Sequence, residues 1–186
     1  MDDAATGTAS LTRHGRTIAE TARAGCLLKT CELTAALPSR RGQYTLTASM
    51  RRQVPHTALS SSVESAWTFT SGRTSEAKPL PLFAVRYAPA GLDSFNRARP
   101  GTVTRVPVRV ERNTGASQAK VTSLRLEMSA DDGANWLPVP TVPTGSGWTA
   151  AVPDPRTPGF VSLRATATDT LGTTAKQTVI RAYAVG

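Results

Sequence analysis

The sequence predicts an all-β protein, an immunoglobulin-like or fibronectin-III-like sandwich preceded by a smaller, incomplete β-module. Two observations lead to this fold class. Seven short stretches rich in β-branched and apolar residues, separated by turn residues, follow one another in the second half of the chain, as in sandwiches of that type. The first half holds only three or four such stretches, fewer than the roughly seven strands of a complete sandwich.

Residues 1–72 form the predicted incomplete module. We expect residues 1–10 to be disordered because they are small and polar. Residues 17–24 are expected to be a loop or an edge strand, since they hold too few large apolar residues for the buried stripe of a helix. The candidate strands of this module, recognised by alternation or by β-branched and aromatic residues, are 26–35, 44–50 and 64–70.

The two cysteines, Cys26 and Cys31, lie five positions apart. In one extended strand this separation spans about 16 Å, whereas a disulfide needs Cα atoms within about 7 Å. A bridge therefore requires a turn, which Gly25 would allow, and both a small-loop disulfide and two separate thiols stay open. A zinc site is not expected, because the spacing differs from that of zinc-binding pairs and the chain has no second Cys/His pair.

The second half begins after a polar segment that ends in a proline. We predict a linker at residues 73–79 and a seven-stranded β-sandwich at residues 80–186. The candidate strands of the sandwich are 82–88, 103–112, 121–129, 135–139, 147–152, 160–169 and 175–183.

Alternation within these strands predicts which side chains face the core and which face water. The predicted core residues are Val106, Val108, Val110, Leu124, Leu126, Met128, Val161, Leu163, Ala165 and Ala167. The predicted solvent-facing residues are Arg105, Arg109, Arg125, Arg164 and Thr166. The segment from Asp169 to Gly172 is the predicted closing turn, in which Gly172 takes a left-handed conformation.

Ser129, Asp131, Gly133 and Trp136 match the pattern Ser-x-Asp-x-Gly-x-x-Trp, known as an Asp box. In such a hairpin the carboxylate accepts hydrogen bonds from turn amides, the glycine takes a positive φ and the tryptophan covers the turn. We interpret the four residues as a structural hairpin. Two alternatives stay open, namely Ca²⁺ held by Asp131 and Asp132 with backbone carbonyls, and a bound sugar.

Trp136 and Trp148 would form a possible surface-binding platform if both faced solvent, although burial is the commoner fate of hairpin aromatics. Asp boxes repeat once per blade in sialidase propellers, and this chain has one copy. A sialidase-like glycosidase fragment would also need a carboxylate pair for catalysis. That interpretation therefore ranks third.

The net charge of +9 attracts the chain to acidic surfaces in general. Its 22 basic residues include only four lysines, and the only adjacent basic pairs are Arg40-Arg41 and Arg51-Arg52. Such a spread differs from the basic patch of a nucleic-acid-binding protein, so no specific nucleic-acid partner is expected. The sequence has no apolar run long enough for a transmembrane segment, and its start lacks the regions of a signal peptide.

Residues 159–172, Gly-Phe-Val-Ser-Leu-Arg-Ala-Thr-Ala-Thr-Asp-Thr-Leu-Gly, and residues 177–183, Gln-Thr-Val-Ile-Arg-Ala-Tyr, resemble the C-terminal tail of secreted subtilisin-like serine peptidases of actinomycetes. Ala-Trp-Thr-Phe at 66–69 and Pro-Leu-Pro-Leu at 79–82 resemble the same region. In that family the tail consists of non-catalytic β-sandwich modules behind the protease domain. The resemblance implies an extracellular location, with an upstream peptidase domain, the cell envelope or a polysaccharide as partner.

The parts of a subtilisin-like catalytic domain are missing from this sequence. The Gly-Thr-Ser-Met-Ala motif of the nucleophile is absent, and so is Gly-x-Ser-x-Gly. His14 and His56 lie in polar loops without a neighbouring acid and nucleophile. We therefore expect no catalytic residue, no metal and no cofactor.

The expected function is that of a non-catalytic accessory tail, which stabilises, spaces or anchors an exported subtilisin-like peptidase. The alternative is an independent carbohydrate- or cell-surface-binding module.

Overall fold

The computed structural model describes residues 5–24, 33–53, 56, 58–145 and 147–186. Every regular element in these ranges is a β-strand, which confirms the all-β prediction. In chain order the strands are β1 (Ala5–Arg13), β2 (Arg16–Ala24), β3 (Gly42–Arg52), β4 (Ser62–Ser71), β5 (Phe83–Tyr87), β6 (Arg97–Ala98), β7 (Val103–Arg112), β8 (Val121–Ser129), β9 (Leu137–Val139), β10 (Thr141–Thr144), β11 (Gly147–Pro153), β12 (Gly159–Asp169) and β13 (Thr174–Val185).

These strands form two sheets. The larger sheet has nine strands in the order β2-β1-β3-β4-β13-β12-β8-β9, with β6 added in parallel to the end of β13. The smaller sheet has the order β10-β11-β7-β5, and its pairings are antiparallel. One cluster of buried apolar side chains draws on both sheets, so the architecture is a β-sandwich. Its assignment to the immunoglobulin or fibronectin-III type stays a prediction.

The core includes the residues that alternation predicted, together with further apolar side chains from β5, β6, β9, β11 and β13. Nine of the ten predicted core residues are buried, and the tenth, Val110, is half-buried against the same cluster. Of the predicted solvent-facing residues, Arg105, Arg109 and Arg125 are exposed, while Arg164 and Thr166 are half-buried. The period of two in these strands was therefore assigned to the correct faces.

The prediction of disorder for residues 1–10 is wrong for residues 5–10, which belong to β1. This strand lies between β2 and β3 and pairs with both along its length. Its small polar side chains give no apolar signal, but two neighbouring strands satisfy its backbone groups. Residues 17–24 lie in β2, which is an edge strand, as one of the two alternatives anticipated.

The first half of the chain joins the same sheet as the second half. β4 pairs with β13 over seven residue pairs, from Thr68 with Thr174 to Ser62 with Ile180. Trp67 of β4 packs against the core, and its Nε1 donates a hydrogen bond to the Phe83 carbonyl at 2.6 Å. The division into modules at residues 73–79 stays a prediction for proteolysis to test.

The described residues of the second half form nine strands, two more than the seven that were predicted. The two further strands, β6 and β10, have two and four residues, and β10 contains Pro143, so neither shows a readable alternation. The predicted strand 135–139 begins at Leu137, because Asn135 and Trp136 belong to the preceding loop. Elsewhere in this half, and in β3 and β4, the predicted strands are confirmed to within two residues at each end.

Most of the predicted strand 26–35 lies outside the described residues. Cys26 and Cys31 lie outside the described residues, and so does the segment 25–32 around them. The described end of that predicted strand, residues 33–35, is not a strand. Among the described residues, no helix is long and apolar enough to cross a membrane.

Candidate functional site

The Asp box occupies the loop between β8 and β9, and Ser129, the last residue of β8, is its buried centre. The Ser129 hydroxyl donates a hydrogen bond to Asp131 Oδ1 at 2.7 Å. Ser129 Oγ also accepts hydrogen bonds from the backbone amides of Gly133 at 2.9 Å and of Asp131 at 3.3 Å. One buried side chain therefore satisfies three polar groups of the turn.

The Asp131 carboxylate uses both oxygens to hold the far side of the loop. Oδ1 accepts the backbone N–H of Asn135 at 2.8 Å, and Oδ2 accepts the Asn135 side-chain amide at 2.7 Å. These hydrogen bonds from Asn135, followed by the one from Ser129, lower the pKa of Asp131 from 3.8 to about 2. The ionised carboxylate is thus an integral part of the turn.

Gly133 is required by its backbone and by its neighbours. Its φ is +90°, in the region that favours glycine. A Cβ at this position would lie 3.0 Å from Ile180 Cδ1 and 3.2 Å from Trp136 Cζ2. The indole therefore packs directly against the glycine of the turn.

Trp136 also covers an ion pair on the outer face of the larger sheet. The guanidinium carbon of Arg164 lies 4.3 Å from the ring centroid of Trp136. Arg164 donates two hydrogen bonds to Glu127, Nε to Oε2 at 2.8 Å and Nη2 to Oε1 at 2.7 Å. The hydrogen bonding from Arg164 lowers the pKa of Glu127. Trp136 is half-buried as a result, and its ring stabilises a cation as well as a turn.

A second arginine ties the other side of the loop to β13. Arg181 donates to both carboxylate oxygens of Asp132, at 2.9 and 2.7 Å, and its guanidinium carbon lies 4.6 Å from the Phe160 ring centroid. Arg181 has a φ of 57° at an irregularity in the pairing of β12 with β13, and its amide donates to Ser162 Oγ at 3.0 Å. The hydrogen bonding from Arg181 lowers the pKa of Asp132.

The two carboxylates considered as Ca²⁺ ligands are directed to different partners. Asp131 binds Asn135 and Ser129, whereas Asp132 binds Arg181. Among the described residues, no group of three or more His, Cys, Asp or Glu side chains could hold a metal ion. The geometry therefore gives no support to a cation at this loop.

Trp136 and Trp148 are not brought together as a platform. Trp148 lies in β11 of the smaller sheet and packs against the core. Trp136 lies beside Arg164, which is on the outer side of the larger sheet. The two indoles are both half-buried and face different surroundings, so they do not form one platform.

Two buried carboxylates elsewhere stabilise the ends of the sandwich. Asp154 accepts hydrogen bonds from Tyr183 OH and Thr104 Oγ1, both at 2.8 Å. Desolvation, and then the hydrogen bond to Asp154, raise the pKa of Tyr183. Asp169 pairs with Arg112 at 3.2 Å and accepts amides of the turn that follows β12. Sequence reasoning did not assign roles to these partners, because they are 29 to 57 positions apart.

No family model, no curated protein and no solved structure matches this chain. The resemblance to subtilisin-like peptidase tails therefore stays a prediction, and function has to be argued from the residues themselves.

Proposed function

We propose that this chain is a non-catalytic accessory module, the β-sandwich tail of an exported subtilisin-like peptidase, which stabilises, spaces or anchors the enzyme. The observation that carries the proposal is the internal use of the Asp box. Ser129, Asp131 and Gly133 hydrogen-bond or pack within the loop, and Trp136 covers Gly133 and Arg164. The polar groups of this loop are hydrogen-bonded to one another, so we interpret the loop as a structural element that stabilises the fold.

The other charged groups of the described residues fit the same role. The buried carboxylates of Asp154 and Asp169 are held by hydroxyls, an arginine and turn amides, which leaves them in structural networks. His14 and His56 are exposed and lie in turns. An accessory module needs a stable, rigid body more than it needs a reactive group, and these networks supply one.

The proposal is tested by fusing the chain to the C-terminus of a secreted subtilisin-like catalytic domain. We expect the fusion to keep its peptidase activity longer on heating, or to be retained on isolated cell walls, relative to the catalytic domain alone. A fusion to a flexible Gly/Ser segment of equal length is the control for spacing. A fusion that matches the free catalytic domain in both assays, or casein hydrolysis by the isolated chain, would overturn the proposal.

A second candidate function is an independent module that binds a cell surface. The charge distribution favours it, because the four ion pairs among the described residues leave many exposed arginines without a carboxylate partner. The two candidates differ in one observable property. An independent module binds cell walls or membranes without any peptidase domain, whereas a stabilising tail changes only the enzyme to which it is joined.

A further inference from the structure

One end of the sandwich presents an exposed aromatic ring on a tightly held loop. Phe95 is 69% exposed, more than the other large exposed apolar residues of the described chain. Asp93 Oδ1 accepts the amides of Phe95 at 2.8 Å and Arg97 at 2.9 Å, and the Asn96 amide donates to the Asp93 carbonyl at 3.0 Å. The loop is therefore fixed by hydrogen bonds in a shape that directs Phe95 outward.

Three exposed arginines lie on this loop and on the two turns that follow it at the same end of the sandwich. The guanidinium carbon of Arg97 lies 5.3 Å from the Phe95 ring centroid. Arg99 follows two residues later and starts a turn that is joined to the Arg156 turn, since the Gly101 amide donates to the Pro155 carbonyl at 2.8 Å. Arg97, Arg99 and Arg156 take part in none of the ion pairs among the described residues.

Two carboxylates lie at this end, and both are hydrogen-bonded within the fold, although Asp93 itself is exposed. Asp93 caps its own loop, and Asp154 is buried with Tyr183 and Thr104. The surface formed by Phe95, Arg97, Arg99 and Arg156, here called the Phe95 tip, thus combines unpaired positive charge with an apolar ring. Interfacial membrane-binding segments have the same composition, with basic residues at the headgroups and an aromatic residue at the acyl boundary.

We propose that the Phe95 tip docks on an anionic lipid surface. Its arginines would lie among the lipid phosphates while the Phe95 ring enters the boundary between headgroups and acyl chains. An acidic polysaccharide would use the arginines but would gain little from an outward phenylalanine. A single-stranded nucleic acid could stack a base on the ring, so binding of a single-stranded oligonucleotide without binding to anionic vesicles would overturn the proposal. This inference rests on the anchoring role in the proposed function and names the surface to which the module would attach.

The test is cosedimentation with vesicles of phosphatidylcholine alone and of phosphatidylcholine with phosphatidylglycerol. We expect binding only to the anionic vesicles. Phe95→Ala should weaken partitioning about tenfold, as expected for the loss of one apolar ring at the interface. Replacing Arg97, Arg99 and Arg156 together by Gln should weaken it about a hundredfold, at about fivefold per cation.

Matched control variants distinguish an effect of the Phe95 tip from the effects of removing any exposed apolar side chain or any three positive charges. Leu171 is 61% exposed in the turn after β12, at the opposite end of that strand from the residues that adjoin β6. Leu171→Ala should leave partitioning unchanged. A second triple Gln variant, at Arg105, Arg109 and Arg125, carries the same net charge as the tip variant and should bind nearly as well as the parent.

Phe95→Trp supplies a second readout that does not depend on loss of binding. Its fluorescence should shift to the blue on anionic vesicles by more than that of the parent. Equal loss for the two triple variants, or partitioning unchanged by Phe95→Ala, would overturn the inference in favour of general attraction to polyanions. Failure of vesicle binding alongside a stabilising effect in the peptidase fusion would refute the docking surface and leave the accessory role standing.

Discussion

Asp131 binds both the backbone and the side chain of Asn135, four residues further along the same loop. Its two oxygens accept the Asn135 amide at 2.8 Å and the Asn135 side-chain nitrogen at 2.7 Å. This paired arrangement closes the loop between β8 and β9 and positions Trp136, the next residue, over Arg164. The loop is therefore one cooperative unit, and several predictions about stability depend on it.

The stability supplied by Asp131 should depend on pH. Its pKa in the folded protein is lowered from 3.8 to about 2, so its contribution is complete above pH 3.8 and is lost as the pH falls through about 2. We expect Asp131→Asn to unfold at a lower temperature than the parent at neutral pH, with the two curves converging near pH 2. Thermal melts across this range measure the effect.

Asp132→Asn is the matched control for that experiment. Asp132 is the neighbouring residue, but it pairs with Arg181 at the surface, where side-chain exposures are 46% and 32%. Loss of an exposed pair should cost about 0 to 1 kcal/mol. A larger loss for Asp132→Asn than for Asp131→Asn would contradict the role assigned to Asp131.

Gly133→Ala should destabilise the protein for two reasons. The residue has a φ of +90°, and the new Cβ would lie 3.0 Å from Ile180 Cδ1 and 3.2 Å from Trp136 Cζ2. Together these effects should cost about 1 to 3 kcal/mol in the free energy of unfolding. Gly172→Ala is the control, since Gly172 has a φ of +74° but no neighbour within 4 Å. Denaturant titrations in which both variants lose the same amount would show that packing of the indole against Gly133 is unimportant.

The buried pair of Arg112 and Asp169 should behave differently from an exposed one. Their side chains are 10% and 0% exposed, so Asp169→Ala leaves a buried guanidinium unpaired and should cost about 3 to 5 kcal/mol. The exposed pair of Arg86 and Glu111 is the comparison, and Glu111→Ala should cost about 0 to 1 kcal/mol. Urea titrations that give similar losses for the two variants would contradict the burial of the Arg112 pair.

Limited proteolysis tests the predicted division of the chain. We expect the first cut between residues 72 and 79, with residues 79–186 left as a resistant fragment, because both sheets and the buried core of the sandwich lie mainly in that part. The fragment would expose the edge of β13 that β4 covers, so it should associate more readily than the intact chain. A resistant fragment from the first half would reverse this expectation.

The core of the sandwich could be predicted because the alternation of apolar and polar residues is visible within each single strand. The alternation in β7 and β8 predicted both the strand bounds and the buried face, since a period of two survives wherever one side is covered. The Asp box was recognisable for the same reason, as its hydrogen bonds run between residues only two to four positions apart.

The parts that were missed depend on distant contacts. β1 was expected to be disordered, yet it pairs with strands on both sides, and its own residues give no sign of that pairing. The two arginines that hold the Asp box come from β12 and β13, and Arg181 is 49 positions from Asp132. Alternation placed Arg164 on the outer face correctly, but it could not show that Trp136 would cover it.

Trp136→Ala tests most directly whether the Asp box is a folding device or a binding site. Trp136 is half-buried, so its removal should cost about 2 kcal/mol, less than the about 3 to 5 kcal/mol lost with a fully buried tryptophan. Trp136→Phe keeps an aromatic face over Arg164 and should lose less. The account predicts a lower melting midpoint for Trp136→Ala and no change in retention on polysaccharide or peptidoglycan columns. An unchanged midpoint together with lost retention would contradict it and identify the indole as a ligand-binding surface.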